Sequence, residues 1–260
     1  MTTPEPRLQS KIALVTGGTK GIGRATVLTF LDEGAAVVFT GSSREEGPAL
    51  EADLRQQGRD AYFVQCDSRD EQQVIDLMAQ IVALHGRLDI AVNNVGSTAP
   101  SDNPTSMLHE TPLQAFQDTV DMALKSTFLS MKHELELMVR QESGGVICNT
   151  SSMAGVRVSA MGSPGYHAAK AAVIHLTRKA AIQYAQRNIR VNVVAPGATA
   201  TEQVLRRFSR EEFDRLATIH PMGKAVTPKE VAQAFLFLCS DAAASITGHM
   251  LPIDGGWTAS

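Results

Sequence analysis

Residues 12–23, which read I-A-L-V-T-G-G-T-K-G-I-G, constrain the fold of this chain more than any other segment. The segment begins with a short apolar run typical of a buried strand, and a helical pattern starts at Ile22. Between them, Gly17, Gly21 and Gly23 permit a tight turn that brings the backbone close to a ligand. Such a turn presents unpaired N–H groups and the positive end of a helix dipole. The segment therefore predicts a site for the pyrophosphate of a dinucleotide, with an ordinary strand-to-helix turn as the alternative.

Strand patterns and helical patterns alternate along the rest of the chain. Strands are predicted at residues 12–15, 36–40, 61–65, 88–93, 145–149, 190–195 and 250–253. Continuous helices are predicted over 113–140 and 166–186, and Pro252 suits a strand at the sheet edge. This alternation predicts one α/β domain over residues 11–260, a doubly wound parallel sheet of about seven strands with helices on both faces. Residues 1–10 are predicted to be a flexible N-terminal tail.

The overall composition narrows the function classes. The 260 residues carry a net charge of −3, so no basic footprint for nucleic acid or an anionic membrane is expected. No run of about 18 apolar residues is available to span a bilayer. Cys66, Cys148 and Cys239 each lie in an apolar run, which predicts buried free thiols and a cytoplasmic location. The histidines lack the spacing of a metal site, so no metal is expected.

Ligands of such a sheet bind beyond the carboxyl ends of the strands. After the second strand the chain reads Gly41, Ser42, Ser43 and Arg44, with no carboxylate to hold a ribose 2′-hydroxyl. Lys20 and Arg44 are candidates to meet a 2′-phosphate. This pattern favours NADP(H) over NAD(H), unless both cations are merely solvated.

Tyr166 and Lys170 are four residues apart in a helical pattern, so they share one helix face. A tyrosine hydroxyl ordinarily loses its proton near pH ~10, and a lysine ammonium within a few ångströms lowers this pKa. The pair is a candidate acid–base group. Two helix-surface residues without a role would explain the same spacing.

Several motifs in this order point to one protein family. The chain reads N-N-V-G at 93–96, S-S-M-A-G at 151–155, Y-H-A-A-K at 166–170, P-G-A-T-A-T from Pro196 and I-D-G-G at 253–256. Together with the first glycine turn, these motifs resemble the short-chain dehydrogenase/reductase family, and 3-oxoacyl-carrier-protein reductase-like members within it. The resemblance covers about residues 11–256. It implies a Rossmann-type fold, a homotetramer, and an oxidoreductase that interconverts a ketone and a secondary alcohol.

The resemblance also implies roles for individual residues. Ser152 matches the group that hydrogen-bonds the substrate oxygen, Tyr166 the proton donor or acceptor, and Lys170 the residue that lowers the tyrosine pKa and holds the nicotinamide ribose. Asp67 and Ser68 match the pair that faces the adenine. The implied cofactor-binding set is Gly17, Thr19, Lys20, Gly21, Ile22, Gly23, Ser42, Ser43, Arg44, Asp67, Ser68, Asn93, Gly96, Tyr166, Lys170, Pro196, Gly197, Thr199 and Thr201.

Two departures from the family pattern leave alternatives open. Ala123 stands where the family places an asparagine that holds a water of the proton relay, and Tyr166 follows Ser152 by fourteen positions, one more than usual. Ala123 motivates one alternative function, a dehydratase, epimerase or other proton-transfer enzyme on the same scaffold. A dinucleotide-binding regulatory subunit without activity is the second alternative, and the intact Ser152, Tyr166 and Lys170 argue against it. Ala123 is also compatible with other waters or carbonyls that complete the relay.

The substrate itself is not predicted. Its walls are expected in the segments 97–111, 153–165 and 202–224, which the shared motifs govern least. The segment 202–224 is amphipathic. Its apolar residues Phe208, Phe213 and Ile219 are predicted either to close over the substrate as a lid or to contact a neighbouring subunit.

Overall fold

The computed structural model describes residues 5–159, 162–206 and 209–260, without the side chains of Arg210 and Leu216. A seven-stranded parallel sheet forms its centre, in the order β3-β2-β1-β4-β5-β6-β7. The strands are β1 (Ile12–Thr16), β2 (Ala36–Gly41), β3 (Ala61–Gln65), β4 (Ile90–Asn93), β5 (Gly145–Thr150), β6 (Ile189–Pro196) and β7 (Met250–Ile253). The predicted doubly wound sheet is confirmed, and Pro252 lies on an edge strand as expected.

Helices cover both faces of the sheet. They are α1 (Gly21–Asp32), α2 (Glu46–Gln56), α3 (Glu71–His85), α4 (Leu113–Val120), α5 (Ser126–Arg140), α6 (Pro164–Tyr184), α7 (Glu202–Leu205), α8 (Arg210–Ala217) and α9 (Pro228–Cys239). Phe30 and Phe235 belong to the core beneath α1, α2 and α9. Leu77 and Met138 belong to the core beneath α3, α5 and α6. Burial of one such side chain contributes roughly 1.5–3 kcal/mol, so the two cores fix the sheet between the helix layers.

The register of the strands aligns their carboxyl ends. Thr16 pairs with Asn93 across β1 and β4, and Thr150 pairs with Val194 across β5 and β6. The hydroxyl of Thr16 also accepts the N–H of Asn94 at 3.0 Å. The turns that follow these strands therefore start at one level and face one cleft.

The helix predicted over 113–140 is interrupted. A π turn, Asp121–Lys125, separates α4 from α5. The backbone N–H of Ser126 donates to the Asp121 carbonyl across the wider turn, and the Ser126 hydroxyl donates to the Met122 carbonyl at 2.7 Å. Because the apolar spacing continues through the turn, periodicity alone gave no sign of it.

The prediction of a flexible tail over residues 1–10 is wrong for its second half. Leu8 is buried in the core beneath α1, and its N–H donates to the carbonyl of Glu33 at 2.9 Å. Arg7 pairs with the carboxylate of Glu33 at 2.6 Å. These contacts fasten the chain to the end of α1. Residues 1–4 lie outside the described residues.

The three cysteines are free and buried, as predicted. Among the residues that the structure describes, no His, Cys, Asp and Glu side chains form a group able to hold a metal ion. Within the same part of the chain, no helix combines the length and the apolar character needed to cross a bilayer.

Candidate active site

A cavity of about 880 Å³ lies beyond the carboxyl ends of β1, β4, β5 and β6. This volume falls in the range of sites for cofactors and small molecules. The cavity is lined by Gly17, Lys20, Gly21 and Ile22 after β1, by Asn94, Val95, Gly96, Ser97 and Thr98 after β4, by Met122 of the π turn, by Thr150, Ser151 and Ser152 after β5, by Tyr166 and Lys170 of α6, and by Pro196, Gly197, Ala198, Thr199, Thr201, Glu202, Gln203, Val204 and Arg206 after β6. One cleft therefore unites the first glycine turn with the candidate acid–base residues.

The hydroxyl groups of Ser152 and Tyr166 meet in this cavity. The two side chains share a hydrogen bond. Ser152 lies directly before a short 3₁₀ turn, and its hydroxyl also accepts the N–H of Ala154 at 3.2 Å. Ser163 caps the start of α6 by accepting the N–H of Tyr166 at 3.1 Å, which fixes the first turn of that helix. The cap and the 3₁₀ turn together orient both hydroxyls toward the same point.

Lys170 lies one helical turn beyond Tyr166 and is 1% exposed. Its Nζ donates to the Thr150 carbonyl at 2.9 Å and lies 5.6 Å from the centre of the Tyr166 ring. A Cβ at Gly96 would come within 2.7 Å of this Nζ, so a larger residue there would displace the ammonium from its position. Burial lowers the pKa of Lys170 to about 8, which leaves the ammonium mostly charged at neutral pH.

The prediction that Lys170 lowers the pKa of Tyr166 is not supported by this arrangement. Burial raises the pKa of Tyr166, and the hydrogen bond with Ser152 acts in the opposite direction. The ammonium of Lys170 is directed at the Thr150 carbonyl rather than at the phenolic oxygen. The phenol is therefore protonated at neutral pH, which suits donation of a proton to a carbonyl oxygen.

The first turn of α1 has the features of an anion site. Lys20 precedes the helix without capping it through its side chain, and no acidic residue occupies the first turn. Side chains at Gly17 or Gly21 would approach Val95 and Thr201 at 3.3 and 3.2 Å, so a Cβ at either would intrude on the cavity wall. The free N–H groups of the helix start and this glycine cradle fit the pyrophosphate of a dinucleotide.

Several residues of the predicted cofactor set lie outside the cavity wall. Gly23 packs against the turn, since a Cβ there would lie 2.0 Å from the Gly17 carbonyl oxygen. Asp67 pairs with Arg69 at 2.6 Å, and Ser68 is buried with a hydroxyl that has no partner among the described residues. The cavity is also not lined by Thr19, Ser42, Ser43 or Arg44.

The segment after β2 carries charges of both signs. The Nζ of Lys20 lies 2.7 Å from the carboxylate of Glu46, the first residue of α2. Ser43 accepts the N–H of Glu46 at 3.2 Å, and Arg44 is exposed. A Cβ at Gly41 would lie 2.8 Å from Thr19, so these two segments touch. Sequence reasoning identified the cations but missed the carboxylate that pairs with one of them.

Asn93, which belongs to the predicted cofactor-binding set, does not line the cavity. Its Nδ2 donates to Glu134 at 2.9 Å and to the Asn149 side chain at 3.0 Å. Asn149 in turn donates to the Thr177 hydroxyl at 2.8 Å. All four side chains are buried within the domain. The side chain of Asn93 therefore cross-links β4, β5 and α5, whereas the next residue, Asn94, lines the cavity.

Glu134 was missed by sequence reasoning. Burial raises its pKa to about 8, although the hydrogen bond from Asn93 opposes this shift. The carboxyl group is therefore neutral at pH 7. A detectable signal existed, because Glu134 stands four residues before the buried Met138 and thus on the apolar face of α5.

Ala123 lies inside the π turn, in the neighbourhood of Gly96 and Lys170. It is fully buried, and its Cα would be 3.5 Å from a Cβ placed on Gly96. Its carbonyl accepts the Thr127 hydroxyl at 3.4 Å. Ala123 thus lies close to Gly96, which also adjoins the Nζ of Lys170, at the position where the family pattern has an amide. The effect on proton transfer stays a prediction.

The segments predicted to form the substrate walls contribute unequally. Ser97 and Thr98 line the cavity, whereas Met107 and Leu108 are exposed. Asp102, in the same loop, is buried and accepts the Thr119 hydroxyl at 2.7 Å, which fastens the loop to α4.

The segment 202–224 borders the cavity through its first residues. Glu202, Gln203, Val204 and Arg206 line the mouth. Phe213 is buried and is not a lining residue, and Ile219 is 37% exposed. Phe208 lies outside the described residues. Among the described residues, three residues of α7 and Arg206 therefore form this wall, and Phe213 does not.

Comparison with known proteins identifies the family. A family model described as enoyl-(acyl carrier protein) reductase matches residues 17–258. The chain belongs to the short-chain dehydrogenase/reductase family. A crystal structure of a short-chain type dehydrogenase/reductase from Mycobacterium marinum superimposes with a TM-score of 0.90 at 31% identity, covering 98% of both chains.

The names of two curated relatives of this short-chain dehydrogenase/reductase give ring alcohols as their substrates. The 2,5-dichloro-2,5-cyclohexadiene-1,4-diol dehydrogenase of Sphingobium indicum is 40% identical, over 97% of this chain and 98% of the relative. The cis-4-hydroxycyclohexanecarboxylate dehydrogenase of Sinomonas cyclohexanicum is 39% identical, over 96% and 97%. The family is one of oxidoreductases that bind a nicotinamide dinucleotide, and the first glycine turn agrees with this cofactor class.

Proposed function

We propose that this protein is an NADP(H)-dependent oxidoreductase that interconverts a six-membered ring ketone and its secondary alcohol. The meeting of the Ser152 and Tyr166 hydroxyls in the same cavity as an uncapped glycine turn carries the proposal. The names of the two ring-alcohol relatives support the substrate class. The family resemblance supports a homotetramer, and the buried free cysteines favour a cytoplasmic location.

The chain's own residues account for orientation and proton transfer. The nicotinamide would supply or accept the hydride when bound. Gly17, Gly21 and the start of α1 would bind the pyrophosphate, and Pro196 to Thr199 would bind the carboxamide of the nicotinamide. Ser152 would donate a hydrogen bond to the substrate oxygen, and Tyr166 would donate its proton to that oxygen during reduction. Lys170 would hold ribose hydroxyls of the cofactor.

A substrate panel tests the reaction. We expect cyclohexanone derivatives to oxidise NADPH with a kcat/KM at least about tenfold above open-chain ketones of equal carbon number, the scale that pocket shape alone provides. The measurement is the loss of reduced-nicotinamide absorbance, with product identified by chromatography. If a ring substrate reacts without net consumption of cofactor, the dehydratase or epimerase alternative is favoured. Tight NADPH binding with no turnover of any carbonyl would favour the regulatory alternative.

The cofactor preference is tested at Lys20. No carboxylate occupies residues 41–44, Arg44 follows β2, and Lys20 lies in the turn after β1 that touches the end of β2, which supports NADP(H). We expect Lys20→Ala to lower kcat/KM for NADPH by roughly tenfold, the value of one charge-assisted hydrogen bond, and to leave NADH unchanged. Glu46→Gln is the matched control. This substitution frees Lys20 from its ion pair and should raise kcat/KM for NADPH. A wild-type preference for NADH would contradict the assignment.

A further inference from the structure

His220 is a buried histidine that the motifs leave unexplained. It is 1% exposed and lies in the connection between α8 and α9. Its Nδ1 lies 2.8 Å from the Lys224 carbonyl oxygen, and its Nε2 lies 3.1 Å from the backbone nitrogen of Ala198. A carbonyl oxygen only accepts, so Nδ1 carries the hydrogen, and Nε2 accepts the N–H of Ala198. The two contacts define one neutral tautomer.

The side chain of His220 is packed tightly on two sides. A Cβ at Gly197 would lie 2.5 Å from Nε2, so the ring touches the backbone of residue 197 directly. On another side a Cβ at Gly255 would lie 3.1 Å from the Cβ of His220. The neighbouring Asp254 is held by the N–H and hydroxyl of Thr258 at 2.7 and 2.8 Å. The closing I-D-G-G motif thus forms the wall behind His220.

The segment that His220 holds is the one expected to bind the nicotinamide. Gly197 donates its N–H to the Ile253 carbonyl at 2.9 Å, and Ala198 accepts the N–H of Val226 at 2.9 Å. Both are backbone contacts, whereas the contact to the Ala198 N–H comes from a side chain. The opposite surface of Gly197 and Ala198 lines the cavity. The imidazole at the Ala198 N–H and the Thr199 hydroxyl, which donates to the Gly197 carbonyl at 3.0 Å, together fix the orientation of the peptide group between residues 197 and 198.

We propose that His220 is a positioning residue for the nicotinamide half of the cofactor site, an inference that rests on the proposed function. Without an acceptor at Nε2, the N–H of Ala198 is left buried and unpaired, or the peptide group turns to find another partner. Either change alters the wall against the nicotinamide. The pyrophosphate cradle at Gly17 and Gly21 belongs to a different turn and keeps its geometry. Loss of the contact should thus weaken binding of the nicotinamide half of the cofactor and leave binding of the adenosine half unchanged.

Two amide variants separate the two contacts of the ring. The amide of His220→Gln reaches the position of Nε2 and supplies an oxygen to the Ala198 N–H. The shorter His220→Asn reaches the position of Nδ1 and leaves the Ala198 N–H without a partner. His175→Leu, at an exposed position of α6, is the matched control. Calorimetric titration would compare NADP⁺ with adenosine 2′,5′-bisphosphate, which carries only the adenosine half. If the wild type prefers NAD⁺, NAD⁺ and ADP replace them.

We expect His220→Asn to bind NADP⁺ about tenfold more weakly, as for one unpaired buried group, and His220→Gln to stay within about threefold of the wild type. Adenosine 2′,5′-bisphosphate should bind all variants equally. Equal weakening of both ligands would indicate a general structural role and overturn the inference, as would unchanged NADP⁺ binding by His220→Asn. If His220→Asn does not fold, tenfold weaker NADP⁺ binding by folded His220→Gln also overturns it, and retained binding supports it. A wild type that binds neither dinucleotide rejects the proposed function itself.

Discussion

Replacement of Tyr166 by phenylalanine is expected to lower kcat by roughly 10²–10⁴-fold, the contribution of a positioned proton donor. The variant loses the hydroxyl that shares a hydrogen bond with Ser152 and keeps the ring that packs near Lys170. Cofactor contacts of the glycine turn are unaffected, so the Kd for NADP⁺ should stay within about threefold, the scale of a single lost neutral hydrogen bond. Steady-state turnover and NADPH fluorescence titration measure the two effects separately.

A matched variant in the same helix makes this result specific. Tyr184→Phe removes a hydroxyl at the far end of α6, outside the cavity, and should leave both kcat and cofactor affinity unchanged. Full activity in Tyr166→Phe would reject Tyr166 as the proton donor.

Because burial raises the pKa of Tyr166, the proton is in place at neutral pH. Reduction by the wild type should therefore decline only on the alkaline side, where Lys170, with a pKa of about 8, also loses its charge.

The fold was predictable because it depends on patterns that repeat. Alternating apolar runs located all seven strands, and β1 differs from its predicted bounds by a single residue, Thr16. The parallel direction of the strands and the helices on both faces followed from general rules of α/β folds and their crossovers. The buried position of Leu8 was missed because Leu8 is a single apolar residue, preceded by two prolines and followed by a polar stretch, and so belongs to no periodic pattern. The π turn around Ala123 was missed because it keeps the apolar spacing of its neighbours.

The candidate site was predictable where one residue type satisfies the chemistry and its position is set by a strand end. Ser152, Tyr166 and Gly17 are in this class, and all three line the cavity. Contacts between distant segments could not be derived, since they depend on side-chain directions. The ion pair between Lys20 and Glu46 and the hydrogen bond from Asn93 to Glu134 are contacts of this kind. The direction of the Tyr166 pKa shift was missed for the same reason, because Lys170 points to a carbonyl.

Replacement of Glu134 by glutamine is expected to stabilise the protein, and increasingly so as the pH rises. Burial raises the folded-state pKa of Glu134 from 4.5 to about 8. Folding at pH 7 must therefore keep protonated a carboxyl group that the unfolded chain ionises, which costs about 3 kcal/mol. The cost is absent below the unfolded pKa, grows between pH 4.5 and 8, and is constant above the folded pKa. The Gln amide oxygen can still accept the hydrogen bond from Asn93.

Thermal unfolding at a series of pH values tests this expectation. Glu134→Gln should unfold close to the wild type at pH near 4.5 and roughly 6–12 °C higher at pH 7, from the usual relation between stability and Tm for a chain of this size. Glu136→Gln, two residues away on the exposed side of α5, should show no such growing difference. A difference between Glu134→Gln and the wild type that is constant with pH would mean that packing alone is responsible. The neutral carboxyl group would then not be the form that the buried Asn93–Glu134–Asn149–Thr177 network requires.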